Sequence, residues 1–534
     1  MAHFSMESLI DLGSPKDFET LDLPVPTREG TRIIVQSSAL QECARIAFSR
    51  IAYAMPSAQY TAFREIIRDQ KSSVRERFVA ASLLENAMIA SKGIFPICQD
   101  TGTALVYGWR GDRVDIAGEN DMERLLAAGA REAYAREKLR NSQRGPLTML
   151  EERNTNDNLP AGIQIRSISG QTIKLLCIAK GGGSTSRASL TMESPSLLRP
   201  DKLEEALRSK IRALGPSGCP PYMISVVLGG TTPSETMYIS ELAAVGALDT
   251  LPETAMGDGA PLRDRAWEER ILEIARESGI GAQWGGIHMA ASARAIRLSR
   301  HAANLPFAVS ISCSANRHVA VIIDRDGWHM QRLGTMEEDL EFAFEEIKQR
   351  VTKEAIQIEI STDDPQGLTR LRTLSAGSLA MLSGPVLIAR DAAHARLLRM
   401  LETEGTLPSW FMGLPLFYAG PTEPKAGQNT GAFGPTTASR MDTYLEPFMA
   451  SGASLVTIAK GNRTTQARQA IAKHGGVYCA AIGGAAALNA KNHIHSVRTI
   501  AFEDLGMESI RIAELDALPV IVAIDSKGND IYQA

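Results

Sequence analysis

At 534 residues the chain is too long for one ordinary hydrophobic core, so two or more domains are expected. An apolar fraction of 44% with 22% charged residues and a formal net charge of -4 is a globular composition, and it excludes the basic footprint of a nucleic-acid binder. Six cysteines are too sparse for a disulfide scaffold and no apolar run approaches membrane-spanning length, so no membrane partner and a reduced, cytoplasmic setting are expected.

In chain order, residues 1–35 carry Pro15, Pro24 and Pro26 among acidic residues and read as an N-terminal arm, with no basic, apolar leader in front. Gln36 to Ser91 reads as helical, with Leu40, Cys43, Ala44 and Ala47 giving a stripe of helical period. Asp201 to Leu214 is a second amphipathic helix, its apolar face Leu203, Ala206, Leu207, Ile211 and Leu214, with Gly215 placed for a C-cap. Met336 to Arg350 is acidic and amphipathic and reads as a helical linker.

One pattern recurs: a short apolar strand stops at a chemically capable residue followed by turn formers. Leu175–Ala179 runs into Lys180-Gly-Gly-Gly-Ser, and Phe307–Ser312 into Cys313-Ser-Ala-Asn. Val386–Ala389 runs into Arg390-Asp, and Leu455–Ala459 into Lys460-Gly-Asn. Any one of these could simply mark where a strand meets solvent, but the repetition points to a shared site. Strands alternating with helices argue an α/β fold, in which ligands collect beyond the carboxyl ends of strands.

Gly434-Pro-Thr-Thr-Ala-Ser-Arg-Met-Asp precedes the stripe Met441, Tyr444, Leu445, Phe448. The spacing predicts a helix with Thr436 and Thr437 at its anion-favouring N-terminus and Arg440 on the face of Thr436; a plain Thr cap with a solvated Arg fits the same pattern. Gly181-Gly-Gly reads as a turn that allows close backbone approach. No P-loop and no G-x-G-x-x-G is present. Cys43, Cys177 and Cys479 sit in apolar runs and read as packing, whereas Cys98, Cys219 and Cys313 sit in turns or at strand ends, where exposed metal ligands are expected. Their wide spacing matches no ferredoxin pattern. Three convergent thiolates would leave one iron of a cubane open, as Lewis-acid catalysis requires.

Ile-Cys98-Gln-Asp-Thr-Gly-Thr-Ala, Ala-Lys180-Gly-Gly-Gly-Ser, Gly-Cys219-Pro-Pro-Tyr, Gly-Ala-Gln283-Trp-Gly-Gly and Arg-His301 occur in that order. Ser-Cys313-Ser-Ala, Arg390-Asp-Ala-Ala-His-Ala, Gly-Pro-Thr436-Thr-Ala-Ser-Arg-Met-Asp and Ala-Lys460-Gly-Asn-Arg follow. Together, from about residue 36 to the C-terminus, they resemble the class I fumarate hydratases. The resemblance implies a two-domain α/β subunit: a larger N-terminal α/β domain (36–333), a linker (334–352) and a smaller C-terminal β/α domain (353–534), meeting around a 4Fe–4S cluster in a homodimer. It implies Cys98, Cys219 and Cys313 as cluster ligands, with one iron lacking a protein ligand. Gln99, Arg140, Gly183, Arg390, Arg440 and Lys460 would bind a small dicarboxylate, with Thr436 as base and Asp100 paired with His301 on the hydroxyl proton. The implied reaction is reversible hydration of fumarate to (S)-malate.

Departures from the family pattern bear on the substrate. His288-Met-Ala-Ala-Ser-Ala-Arg stands where members carry an aromatic and an acidic residue, Leu305 where some have a further cysteine, and Ser439 where glycine is common. Mesaconate and tartrate are therefore alternative substrates of the same chemistry. An iron-sensing binding protein switched by cluster loss, or a zinc hydrolase on the same cysteines, would be a different class of protein; the lack of a basic segment counts against RNA binding by the former.

Overall fold

The computed structural model describes residues 10–119, 121–255, 259–334 and 341–533. It has two α/β parts. In the N-terminal part a six-stranded sheet runs in the order Phe18–Thr20, Gly327–Gln331, His318–Asp324, Ile173–Lys180, Thr103–Gly111, Gly162–Ile168. A five-stranded sheet runs Ser189–Glu193, Leu305–Ser312, Tyr222–Gly230, Ala290–Arg300, Leu262–Arg263. Most neighbours in both sheets are antiparallel. The parallel pairs are Thr103–Gly111 with Gly162–Ile168 and Tyr222–Gly230 with Ala290–Arg300.

The C-terminal part alternates strand and helix. Ile356–Glu359, Leu379–Ile388, Leu416–Phe417, Val456–Ala459 and Val477–Ala481 pair in parallel. The long last strand Ile510–Ile524 pairs antiparallel with both Leu379–Ile388 and Val477–Ala481, so the sheet closes on itself. The parallel strands Leu379–Ile388, Val456–Ala459 and Val477–Ala481 run the same way, and the loops after them carry Arg390, Lys460 and Gly483 to one seam.

The expected helical region resolves into Ser37–Tyr53, Ser57–Arg68 and Val74–Ala90. Ser73 caps the third helix through a reciprocal box with Glu76, at 3.2 and 3.1 Å. That helix is buried on nearly all sides because it lies between the two parts. Its Asn86 donates to Gly484 O (3.0 Å) and accepts from Leu488 N–H (3.0 Å), stitching helix to C-terminal loop. The helix read over 201–214 spans Pro200–Leu214 and stops at Gly215, whose φ of 58° suits glycine.

Two expectations change. The segment 1–35 is not an arm over its described residues: Ile10, Leu12, Phe18, Leu21, Ile33 and Val35 are buried, and Phe18–Thr20 forms an edge strand. Apolar residues spaced between prolines had a core to reach that local composition does not reveal. The linker expected at 334–352 falls partly on 335–340, outside the described residues, and its remainder belongs to the helix Glu341–Glu354. No helix among the described residues is long and apolar enough to cross a membrane.

Candidate active site

The seam between the two parts collects most of the residues singled out above. Cys98, between the helix Val74–Ala90 and the strand Thr103–Gly111, is buried, and its thiol lies 3.4 Å from Gln99 Oε1. Cys219 is buried in a left-handed conformation, φ 64°, and its sulfur accepts from Lys460 Nζ at 2.7 Å. Cys313, half-buried, follows the strand Leu305–Ser312, and Ser314 N–H donates to Cys219 O at 2.9 Å. The three are therefore not the exposed turn residues that the sequence suggests, because the second domain covers their loops. Burial raises the Cys98 thiol and pushes Cys219 up to about 11, while Lys460 acts in the opposite sense on both and Arg317 on Cys98. Cys219 feels the charge of both Cys313 and Cys98, and Cys98 that of Cys313. Among the described residues no three His, Cys, Asp or Glu close around a single ion.

Around the thiols stands a cationic wall. Burial works against charge on Lys460, yet the cysteine sulfurs hold its pKa above the ordinary value. Its ammonium lies where a Cβ on Gly183 would meet it at 3.3 Å. Arg390, 5% exposed, is brought down to about 10 by burial and by Arg140, and its Nε has no partner. Arg140 reaches Gly420 O at 3.4 Å, and a Cβ on Gly420 would touch the Arg390 guanidinium at 2.7 Å, so both arginines lie against this one glycine. Asp100 sits opposite. Its carboxylate takes Gly182 N–H at 2.8 Å and lies 3.4 Å from Arg140. Burial raises its pKa, but Arg140, Arg317 and Lys460 hold it below the ordinary carboxylate value.

The helix reading around Thr436 is corrected. Thr436 is extended backbone: its N–H donates to Tyr418 O (2.6 Å) and its carbonyl accepts Lys460 N–H (3.0 Å). A 3-10 turn begins at Ala438 and the α-helix only at Asp442. Thr436 thus owes its place to backbone hydrogen bonds with Tyr418 and Lys460, beside the bridges Ala419–Pro435 and Thr437–Lys460, and Arg440 does not share a helical face with it. Arg440 is ion-paired to Asp391 at 2.5 Å and half-exposed. Likewise Gly181-Gly-Gly is not a free turn: Gly182–Thr185 is a single helical turn with Gly181 at its N-cap. Gln99 donates to Pro435 O at 2.9 Å, and Gly434 leaves room for its amide.

His301 lies elsewhere. The five-stranded sheet puts Ser312 beside Met223 and Arg300 beside Gly230, so Cys313 and His301 mark opposite ends of the strand Tyr222–Gly230. Nine steps of ~3.3 Å along the strand separate them by roughly 30 Å. The imidazole is exposed and accepts only from Ala303 N–H, at 3.2 Å, among the hydrogen bonds seen.

Several residues of the seam were not singled out from sequence. Arg317, 2% exposed, donates to Asp100 O at 2.7 Å and has Nε and Nη1 unpartnered. Gly483 packs so closely that a Cβ would lie 2.3 Å from Cys219 Sγ. Its signal was available: Val477–Ala481 is another strand running into Gly-Gly. Glu508 accepts Ala392 N–H at 2.7 Å and stands 3.7 Å from Arg390; nothing in its local sequence marks it.

A family model described as "Fumarate hydratase (Fumerase)" matches residues 41–322, and one described as "Fumarase C-terminus" matches residues 327–534. The chain belongs to the class I fumarate hydratase family. It is 39% identical over 498 residues to "Fumarate hydratase 2" of Leishmania major, covering 93% of this chain and 87% of the relative. It is 38% identical over 506 residues to the aerobic class I fumarate hydratase of Escherichia coli K12, covering 95% and 92%. The anaerobic class I fumarate hydratase of that strain is 37% identical over 503 residues, covering 94% and 91%. Membership in the class I fumarate hydratase family makes the protein an enzyme, a hydro-lyase.

Proposed function

We propose that this enzyme hydrates fumarate reversibly to (S)-malate, using a 4Fe–4S cluster held by Cys98, Cys219 and Cys313, as a cytoplasmic homodimer. The observation that carries the reading is the meeting of these three thiols with Asp100, Arg140, Arg390 and Lys460 at one buried seam. The donor set fits such a cluster: Cys219 lies close enough to feel the charge of both Cys98 and Cys313, and Lys460 donates to its sulfur. When bound, the cluster supplies an iron without a protein ligand, a Lewis acid that makes hydroxide a better leaving group.

The remaining chemistry falls to the chain. Arg140, Arg390 and Lys460 meet the substrate carboxylates, Arg390 through its unpartnered Nε, and Gln99 and Gly183 shape the floor. Arg440 joins them by releasing Asp391. Proton removal beside a carboxylate builds negative charge on that group, and fixed cations in a buried site stabilise it as it grows. Thr436 takes the carbon-bound proton in the dehydration direction, which requires its hydroxyl to be ionised first; the neighbouring cations favour that state. Asp100 handles the hydroxyl proton with His301. Since His301 lies roughly 30 Å from Cys313 in its own subunit, the pairing needs a second copy to supply it. Anaerobic assay against fumarate, mesaconate and tartrate tests the substrate: fumarate should give the highest kcat/KM, and preference for either alternative would overturn the assignment.

A further inference from the structure

Between the helix Arg265–Glu277 and the strand Ala290–Arg300 the chain folds into a tight loop built to hold one side chain. Gly281, Gly285 and Gly286 all take positive φ, and a Cβ on Gly281 would lie 2.2 Å from Gly285 O, so the loop closes on its glycines. Gln283 also takes a positive φ, 76°, where glycine or asparagine is usual. The loop is fixed on its far side. Trp284 stacks on Phe78 with ring centroids 5.9 Å apart, and Glu76 accepts the N–H groups of Ile287 and His288 at 2.6 and 2.8 Å.

The Gln283 side chain is 4% exposed and spans the seam between the two parts. Its Nε2 donates to Pro220 O at 3.1 Å and to Gly483 O at 2.9 Å, and its Oε1 accepts Gly483 N–H at 2.7 Å. Only one amide orientation serves all three, since the flipped amide would set its oxygen against two carbonyls. Pro220 follows Cys219, which itself holds a φ of 64°. Gly483 is the residue whose added Cβ would lie 2.3 Å from Cys219 Sγ. One carboxamide thus ties the turn that carries a thiol to the loop that presses on that thiol, and the two come from different parts of the chain. A buried side chain on a costly backbone conformation, with its hydrogen bonds converging around one cysteine, marks a site where position is being held.

We propose that Gln283 is a positioning residue for Cys219: it sets how far the Cys219 turn stands from the Gly483 loop, and so where the thiol sits at the seam. The inference rests on the proposed role of Cys219 as a cluster ligand. Gln283 acts through backbone groups of both loops, so its removal changes the placement of the thiol and not its chemistry. Losing a group that orients a metal ligand from behind typically weakens metal retention by about 10- to 100-fold.

The test is the rate at which the anaerobic holoenzyme releases iron into excess EDTA, followed by the decay of its visible absorption. Gln283→Met keeps the length of the side chain and removes all three hydrogen bonds, so it should release iron about 10- to 100-fold faster than wild type. Gln283→Glu keeps the acceptor for Gly483 N–H and loses both donors; it should also release iron faster, and it carries the test if Gln283→Met does not fold. Glu76→Gln weakens the other end of the same loop without touching Cys219 or Gly483. It should lower the midpoint of unfolding and leave iron release at the wild-type rate. Wild-type release from the Gln283 variants would overturn the positioning role, and so would equally fast release from Glu76→Gln, because loop stability alone would then govern the thiol. A wild type that holds no cluster would overturn the cluster reading and this inference together, whereas a cluster-bearing wild type beside unaffected Gln283 variants would overturn this inference alone.

Discussion

Gly483→Ala probes the seam with the smallest possible change. The added methyl would lie 2.3 Å from Cys219 Sγ and 2.8 Å from Lys460 Cδ, whereas ordinary carbon contacts lie near ~3.5–4.0 Å. One side must therefore move by roughly an ångström. Neither side yields easily: Gln283 grips the Gly483 backbone at 2.7 and 2.9 Å, and Cys219 is fixed by Ser314 at 2.9 Å and Lys460 at 2.7 Å. Overpacking of a buried site costs about 1–3 kcal/mol, here concentrated on one proposed cluster ligand. The expected outcome is a folded protein with reduced iron and sulfide per chain and turnover falling in proportion. Gly405→Ala is the control, since Gly405 has φ 74° but nothing within 4 Å of the added Cβ. It should cost about 1–2 kcal/mol of backbone strain and leave iron content unchanged. The assay is anaerobic iron and sulfide analysis beside circular dichroism and turnover. A Gly483→Ala enzyme with full iron and wild-type turnover would refute the claim that this seam is tight around Cys219.

Arg390→Ala and Lys460→Ala should each lower kcat more than they raise KM, by roughly a hundred- to thousand-fold, or about 2.7–4 kcal/mol; a pure KM effect would make them docking residues. Thr436→Val should abolish solvent-deuterium exchange at the substrate carbon with iron content intact. Thr437→Val should cost little, because the Thr437 side chain makes no capping hydrogen bond, and equal losses at both positions would move the base elsewhere. His394 and His318 are buried and held neutral, each with its pKa brought down by burial to about 4. A lowered histidine pKa means the unfolded chain binds more protons, so stability present above pH ~6.5 is lost as pH falls toward 4. Over ~2.5 pH units that is roughly 3 kcal/mol per group at 1.36 kcal/mol per unit. His394→Phe, in a cage of Tyr418, Tyr444 and Phe448, should flatten that acid slope in denaturant melts of the wild-type length chain, and an unchanged slope would contradict the assignment.

What the sequence revealed follows from how local each signal is. The helix at Pro200–Leu214 was legible because its apolar face and its glycine stop lie within one stretch. The strand-to-turn pattern delivered Arg390, Lys460 and Cys313 to the seam because strand ends carry their position with them. Thr436 was misplaced on a helix since its carbonyl accepts the N–H of Lys460, 24 residues on, and Thr437 bridges to the same residue, a pairing that no periodicity shows. The burial of Cys98 and Cys219 came from a second domain closing over turns that look exposed in isolation. Arg317 and Glu508 owe their place to tertiary contacts alone, and the position of His301 depends on strand order within a sheet, which local pattern does not encode.

Hydration of fumarate is proposed to depend on a cluster held by Cys98, Cys219 and Cys313. Its most direct test is fumarate hydration and iron content measured on the same anaerobic sample during controlled exposure to air, with Cys219→Ser beside wild type. Turnover should fall in step with iron in wild type, and Cys219→Ser should hold neither a cluster nor activity. Undiminished turnover in iron-free protein would contradict it.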